Sequence, residues 1–304
     1  VEFEEVMDFD PQNRESFAAL EGNLGLTLPF VGAGLAAFAY PCWSDFLRGA
    51  AGHLGGAGRR DFDAAFRGGD YELAASAIEK TLGPRAFRRR VRAAFGPKRL
   101  YEPEFAEKAR GEAAFVLPML FCGLVLTTNF DRTLERIYGL AGVPFCHVAR
   151  PGAGRPLVWL KKTREKGNTY KKGASSKPQG KNILYKFHGD IGRAGRLVIT
   201  KERYDRCYRP GGRLSRGLRS CFENKHMLFL GCSLASDRTV EVLKDVLPCG
   251  TEHYAVADCG DGGPQERRGE LAARGINAVI YPKGEYDAVR AVLKKLAEDR
   301  QGPI

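Results

Sequence analysis

Four segments of the chain end an apolar run in residues able to do chemistry. The first, Pro29-Phe30-Val31-Gly32-Ala33-Gly34-Leu35, runs into two closely spaced glycines. Glycine lets a backbone come close to a phosphate and adopt positive φ, and a helix N-terminus behind it adds N–H donors. A tight strand-to-helix turn asks for the same residues, and Ala37 breaks the usual Gly-x-Gly-x-x-Gly spacing of dehydrogenases. The second, Leu126-Thr127-Thr128-Asn129-Phe130-Asp131, ends in hydroxyl, amide and carboxylate groups. Leu134, Ile137 and Tyr138 mark a helix just behind it, so Asp131 reads equally as that helix's N-cap or as a site carboxylate. The third, Leu184-Tyr185-Lys186-Phe187-His188-Gly189-Asp190, ends in an imidazole beside a glycine: a general base for neutral pH, or a hydrogen-bonded turn residue. The fourth, Met227-Leu228-Phe229-Leu230-Gly231-Cys232-Ser233-Leu234, offers Gly231 for close approach and the Ser233 hydroxyl for a ribose or phosphate; another turn fits it as well.

These groups work together only if the four runs are neighbouring strands. Strands are expected over Leu28–Val31, Leu124–Thr128, Ile183–Phe187, Leu197–Thr200, Met227–Leu230, His253–Ala257 and Ala278–Tyr281. Most are continuous apolar runs without alternation, the signature of a parallel sheet covered on both faces. Helical stripes fall between them: Trp43, Phe46, Leu47, Ala50 and Leu54; Val240, Leu243 and Leu247 behind Asp237; and Val289, Val292, Leu293 and Leu296. The alternation predicts an α/β fold, Rossmann-like and doubly wound, on a mainly parallel sheet. We expect one domain over 1–304, with a helical subdomain inserted at 44–120 and a basic, flexible loop at 152–180. In such sheets ligands bind beyond the carboxyl ends of the strands, where all four polar segments fall.

Taken together and in this order, the motifs resemble the sirtuin superfamily. They look closest to its divergent members that act as NAD hydrolases in bacterial anti-phage defence. The matching pieces are Gly32-Ala33-Gly34, Pro41-x-Trp43, Thr128-Asn129-Phe130-Asp131, Lys186-Phe187-His188-Gly189 and Leu230-Gly231-Cys232-Ser233-Leu234. Leu197-Val198-Ile199-Thr200 before Tyr204, and Ile280-Tyr281-Pro282 before a helix, extend the likeness to roughly Leu26–Leu296. The resemblance implies that Gly32, Ala33 and Gly34 line the diphosphate of NAD, together with Thr128 as a binding residue. It implies that Asn129 and Asp131 face the nicotinamide and its ribose, that His188 is the general base, and that Gly231 and Ser233 contact the adenosine half. Two departures stand out. Ala36 occupies the place of a usual Ser, so a hydrogen bond at the nicotinamide end comes from elsewhere or is missing. No four-cysteine zinc module lies between Asp190 and Lys225. The implied activity is therefore NAD cleavage without zinc and without protein deacylation.

Nicotinamide leaves NAD as a neutral molecule from a cationic ring, so its departure needs no general acid. The demand is to steady an oxocarbenium-like ribose and to position a nucleophile, which an amide, a carboxylate and a neutral imidazole can meet. Hydrolysis gives nicotinamide and ADP-ribose, and cyclisation shares the first step. A second reading is a module that binds NAD or ADP-ribose as a sensor, without turnover. An unrestrained NAD hydrolase would exhaust its host, which implies control by homo-oligomerisation, a partner protein or a fused domain.

The rest of the composition bounds these readings. The formal net charge is +12. Much of it sits at Lys161, Lys162, Arg164, Lys166, Lys171, Lys172, Lys177, Lys181 and Lys186, with a second cluster at Arg85, Arg88, Arg89, Arg90 and Arg92. That raises a third reading, a nucleic-acid-associated subunit of a defence complex, with the basic loop against phosphates. Only Tyr170 and Tyr185 interleave that segment, so stacking readout is not indicated. The eight cysteines contain no Cys-x-x-Cys pair, which speaks against structural zinc and for reduced thiols in the cytoplasm. No stretch of about 18 uncharged apolar residues is present, so no membrane span is expected. Val1-Glu2-Phe3-Glu4-Glu5 has no signal-peptide pattern and no initiator Met, as a fragment of a longer protein would begin.

Overall fold

Apolar runs become strands in the computed structural model, which describes residues 1–149, 182–209, 212, 218–219, 222–223, 225–234 and 251–301. The strands are β1 (Thr27–Val31), β2 (Leu124–Thr127), β3 (His147–Ala149), β4 (Ile183–Lys186), β5 (His226–Leu230), β6 (His253–Asp258) and β7 (Ile276–Tyr281). They form one sheet in the order β3-β4-β2-β1-β5-β6-β7, and every described pairing is parallel. Apolar clusters cover both faces, so this is the Rossmann-like α/β architecture expected. The 152–180 loop and the stripe at Val240, Leu243 and Leu247 lie outside the described residues.

Register does the positioning. Val31 pairs with Thr127 on one side and Leu230 on the other, and Thr127 pairs with Lys186. One row of the sheet is therefore Lys186, Thr127, Val31 and Leu230. The residues that follow that row leave the sheet at one level, and they carry the four polar motifs.

Helices α1 (Phe3–Phe9) and α2 (Asn13–Asn23) precede β1. Between β1 and β2 run α3 (Trp43–Ala51), α4 (Gly56–Arg67), α5 (Tyr71–Leu82), α6 (Pro84–Phe95), α7 (Pro103–Arg110) and α8 (Leu117–Leu120). Then come α9 (Thr133–Leu140), α10 (Lys201–Cys207), α11 (Gly263–Ala272) and α12 (Asp287–Gln301). The basic helix α6 is held by Phe87, Val91 and Phe95, all buried, with most of its arginines outward.

One expected strand is corrected. Leu197–Thr200 is buried but joins no ladder; Val198 N–H donates to the His188 carbonyl at 2.9 Å, and Thr200 is the N-cap position of α10. A buried apolar link packs like a strand without pairing like one, so composition does not separate the two. Conversely, β3 is a partly exposed edge strand with no apolar run to announce it.

The opposite edge is closed by a side chain. Asn13 Nδ2 donates to the Ile280 carbonyl at 2.7 Å, and Ile280 N–H donates to Asn13 Oδ1 at 2.8 Å. The Asn13 amide thus meets β7 as a further strand would. Arg268 braces it through Asn13 Oδ1 and Asp10 at 3.0 and 2.7 Å.

Candidate active site

The glycines at the ends of β1 and β5 meet each other. Gly32 N–H donates to the Leu230 carbonyl at 2.8 Å, and Gly34 N–H donates to the Gly231 carbonyl at 2.9 Å. A Cβ on Gly32 would stand 2.4 Å from the Gly231 oxygen. Gly231 has φ +63, and a Cβ there would stand 2.5 Å from the Leu35 nitrogen. These glycines are thus needed for loop-on-loop contact, whatever ligand they also line. Two of their amides are already committed within the protein.

The end of β2 is tied down by side chains. Thr127 Oγ1 donates to the Val31 carbonyl at 2.7 Å and accepts from Asn129 N–H at 2.9 Å. Asn129 Nδ2 donates to the Gly32 carbonyl at 3.0 Å, which fixes the amide plane across the two loops. Asp131 Oδ1 accepts from the N–H of Thr133, the first residue of α9, at 2.8 Å, while the residue also lines the site cavity. The N-cap expected at Asp131 is corrected: Arg132 holds that position, and Asp131 stands one residue ahead of it.

Beneath these loops lies a buried charge network. Lys186 is 0% exposed, and its Nζ donates to the Asp131 carbonyl and to Glu135 Oε1. It also pairs with Asp190 at 3.6 Å, and Asp190 accepts from Arg132 at 2.9 Å. Burial pushes the Glu135 carboxyl up, against the pull of Lys186. Burial pushes Asp190 up too, but the Arg132 hydrogen bond and the Lys186 charge outweigh it and hold that carboxyl below its usual range. Asp190 also caps the turn at Ile191–Arg196, accepting from Gly192 N–H at 2.8 Å.

His188 follows β4 and sits between two phenols of the α10 segment. Its Nε2 is 2.9 Å from Tyr208 Oη, and its Nδ1 is 3.4 Å from Tyr204 Oη. Gly189, at φ +92, turns the chain away at once. Spaced four apart, Tyr204 and Tyr208 stack at 5.8 Å between ring centres. The four-residue spacing was visible in the sequence, but nothing there said which strand end it would face.

A cavity of ≈ 710 Å³ collects these groups beyond the ends of β1, β2, β4 and β5. Its lining includes Gly32, Ala33, Gly34, Thr128, Asn129, Asp131, His188, Gly231 and Ser233, that is, every site residue expected from the sequence. The volume falls within the usual range for small-molecule sites. The opposite wall was not anticipated. It comes from Trp43, from Phe95 and from the α4–α5 turn at Gly68–Glu72, with Tyr204 beside His188. Phe130 packs edge-on against Trp43 and Phe95, at 5.9 and 5.1 Å. The Tyr40 phenol is pushed up, by burial first and by the Asp131 charge second. A smaller cavity of ≈ 220 Å³ adjoins, sharing Gly34, Gly231, Cys232 and Ser233 and reaching Asp258 and Tyr281. The described residues contain no group of three or more His, Cys, Asp or Glu placed to hold a metal ion, and no helix long and apolar enough to cross a membrane.

Comparison with known proteins gives two matches. The SIR2-like domain family matches residues 123–279, just over half of the 304-residue chain. A NAD(+) hydrolase, ThsA of Cytobacillus dafuensis, is 30% identical over 128 residues. That alignment takes in 42% of this chain and 22% of the relative, so the chain spans about a fifth of the relative's length.

Proposed function

Because the chain belongs to the SIR2-like domain family, we propose that it is a NAD glycohydrolase that splits NAD into nicotinamide and ADP-ribose. The observation that carries this reading is the meeting of His188, Asn129 and Asp131 with the glycine loops in one cavity at the sheet's switch point. β1 lies between β2 and β5 there, so the chain leaves the sheet in both directions and opens a crevice.

The chemistry follows from the residues. The bond between ribose C1′ and the pyridinium nitrogen breaks, and its electron pair neutralises the leaving ring. Asn129 Oδ1, whose amide is fixed by Gly32, and the Asp131 carboxylate face the positive charge that grows on the ribose. Water forms the new bond to C1′ and gives its proton to His188. Thr128, Ala33 and the glycines line the diphosphate, and the smaller cavity beside Gly231 and Ser233 takes the adenosine end. The aromatic wall of Trp43, Phe95 and Phe130 keeps bulk water from the reacting carbon. The relative named a NAD(+) hydrolase supports the same activity. Control by self-association or a partner belongs to this reading, since free turnover would drain a cell of NAD.

The test is nicotinamide release by the purified chain, followed by liquid chromatography at several protein concentrations. Release by wild type that falls at least ~100-fold in both His188→Ala and Asn129→Ala establishes the site. Ala36 favours the alternative, a module that holds NAD or ADP-ribose without turnover. NAD binding with no release at any concentration would select that alternative, and absence of both would end the NAD reading.

A further inference from the structure

We propose that Tyr208 is a positioning residue that holds His188 in the Nε2–H tautomer, making Nδ1 the nitrogen that accepts the proton. This rests on the reading of His188 as the general base.

The two phenols differ in where they lie. Tyr204 lines the cavity together with His188, whereas Tyr208 is buried in the apolar cluster on one face of the sheet and is absent from the cavity lining. The Nε2 edge of the imidazole therefore faces the protein interior, and the Nδ1 edge faces the cavity. A neutral imidazole carries one N–H and one lone pair. A base needs its lone pair toward the substrate, so Nε2 must carry the hydrogen. The Tyr208 oxygen, 2.9 Å away, is placed to accept it. On the other side, Tyr204 Oη meets Nδ1 at 3.4 Å, a longer contact than the one at Nε2, and one that water or a ribose hydroxyl entering the cavity can replace. In the step, the proton moves from that oxygen to Nδ1 and its electron pair stays on oxygen.

The arrangement has the logic of a histidine oriented through its far nitrogen, with a phenol where hydrolytic triads have a carboxylate. The difference has a consequence. A phenol fixes the tautomer without adding a negative charge beside the ring.

The experiment labels the five histidines with ¹⁵N, assigns His188 by its loss in His188→Gln, and reads which ring nitrogen carries hydrogen. Wild type should show Nε2 protonated and Nδ1 bare near neutral pH. Tyr208→Phe keeps the ring and its packing but removes the acceptor. In it the His188 signals should move toward the Nδ1–H form, and kcat for nicotinamide release should fall ~10–100-fold with little change in KM. A wild-type His188 that carries its hydrogen on Nδ1 overturns the proposal, as does a Tyr208→Phe protein with unchanged tautomer and kcat. If Tyr208→Phe does not fold, the wild-type tautomer alone decides. If wild type releases no nicotinamide, the hydrolase reading fails while the spectrum still judges Tyr208.

Discussion

Gly231 shows how much one residue can carry. Its backbone lies in the left-handed region, and its Cα touches the loop after β1 where a side chain would collide with Leu35. Gly231→Ala should cost about 1–3 kcal/mol of stability in urea unfolding and displace the Gly32–Ala36 turn, with loss of NAD turnover. Gly22, inside α2 with nothing within 4 Å of its Cβ direction, is the contrast. Gly22→Ala should leave turnover intact and raise stability by up to ~1 kcal/mol. Equal effects at the two positions would refute the close-approach account. The sequence marked Gly231 as a place for close approach, to a ligand or within a tight turn. The nearer cause, the backbone of another loop, comes from a segment about two hundred positions earlier. His188 and Asn129 were legible because each ends an apolar run. Tyr208 was not, because a tyrosine just past a helix end signals nothing until its hydroxyl has a neighbour.

Elements are joined at the site by Lys186. Lysine is almost never fully buried without partners, so a lysine closing an apolar strand signals an ion pair beneath the sheet's end. From β4 it holds the loop after β2 through the Asp131 carbonyl, and α9 through Glu135. Lys186→Met should cost about 3–5 kcal/mol in denaturation at pH 7, because Glu135 and Asp190 lose their shared cation. Adding Glu135→Gln should recover part of that cost. A single variant within ~0.5 kcal/mol of wild type would refute the network. At this scale the sequence was a good guide where an element is buried on both faces, as β1, β2, β4 and β5 are. It misled at Leu197–Thr200, where burial came without pairing, and it missed β3, where pairing came without burial.

Across the whole molecule, acid sensitivity should come in part from His253. This ring starts β6, is buried, and accepts from Met227 N–H at 3.3 Å. Burial first, and the charge of His226 second, push its pKa down from the ordinary 6.5 to about 4. Above pH 6.5 the ring is neutral in both folded and unfolded chains and stability does not depend on it. Below that pH the unfolded chain binds a proton that the native protein refuses, so stability falls until about pH 4, where the native ring also protonates. The loss is about 3 kcal/mol over that window. His253→Gln, which keeps an acceptor for Met227, should flatten the urea midpoint between pH 6.5 and 4 relative to wild type. An unchanged pH profile would show that other groups carry the acid response.

What the sequence determined by itself was the kind of sheet, the strand ends that carry polar groups, and the identity of those groups. Local patterning suffices for this, because a strand buried on both faces must be apolar along its length and can turn polar only where it leaves the sheet. What the tertiary structure decided was the row that sets Lys186, Thr127, Val31 and Leu230 level. It also decided the glycine contact across β1 and β5, the buried network under Asp131, and the phenol behind His188. Each is a contact between residues far apart in the chain. Such contacts depend on strand order and register, which pairing between segments sets and no single segment encodes.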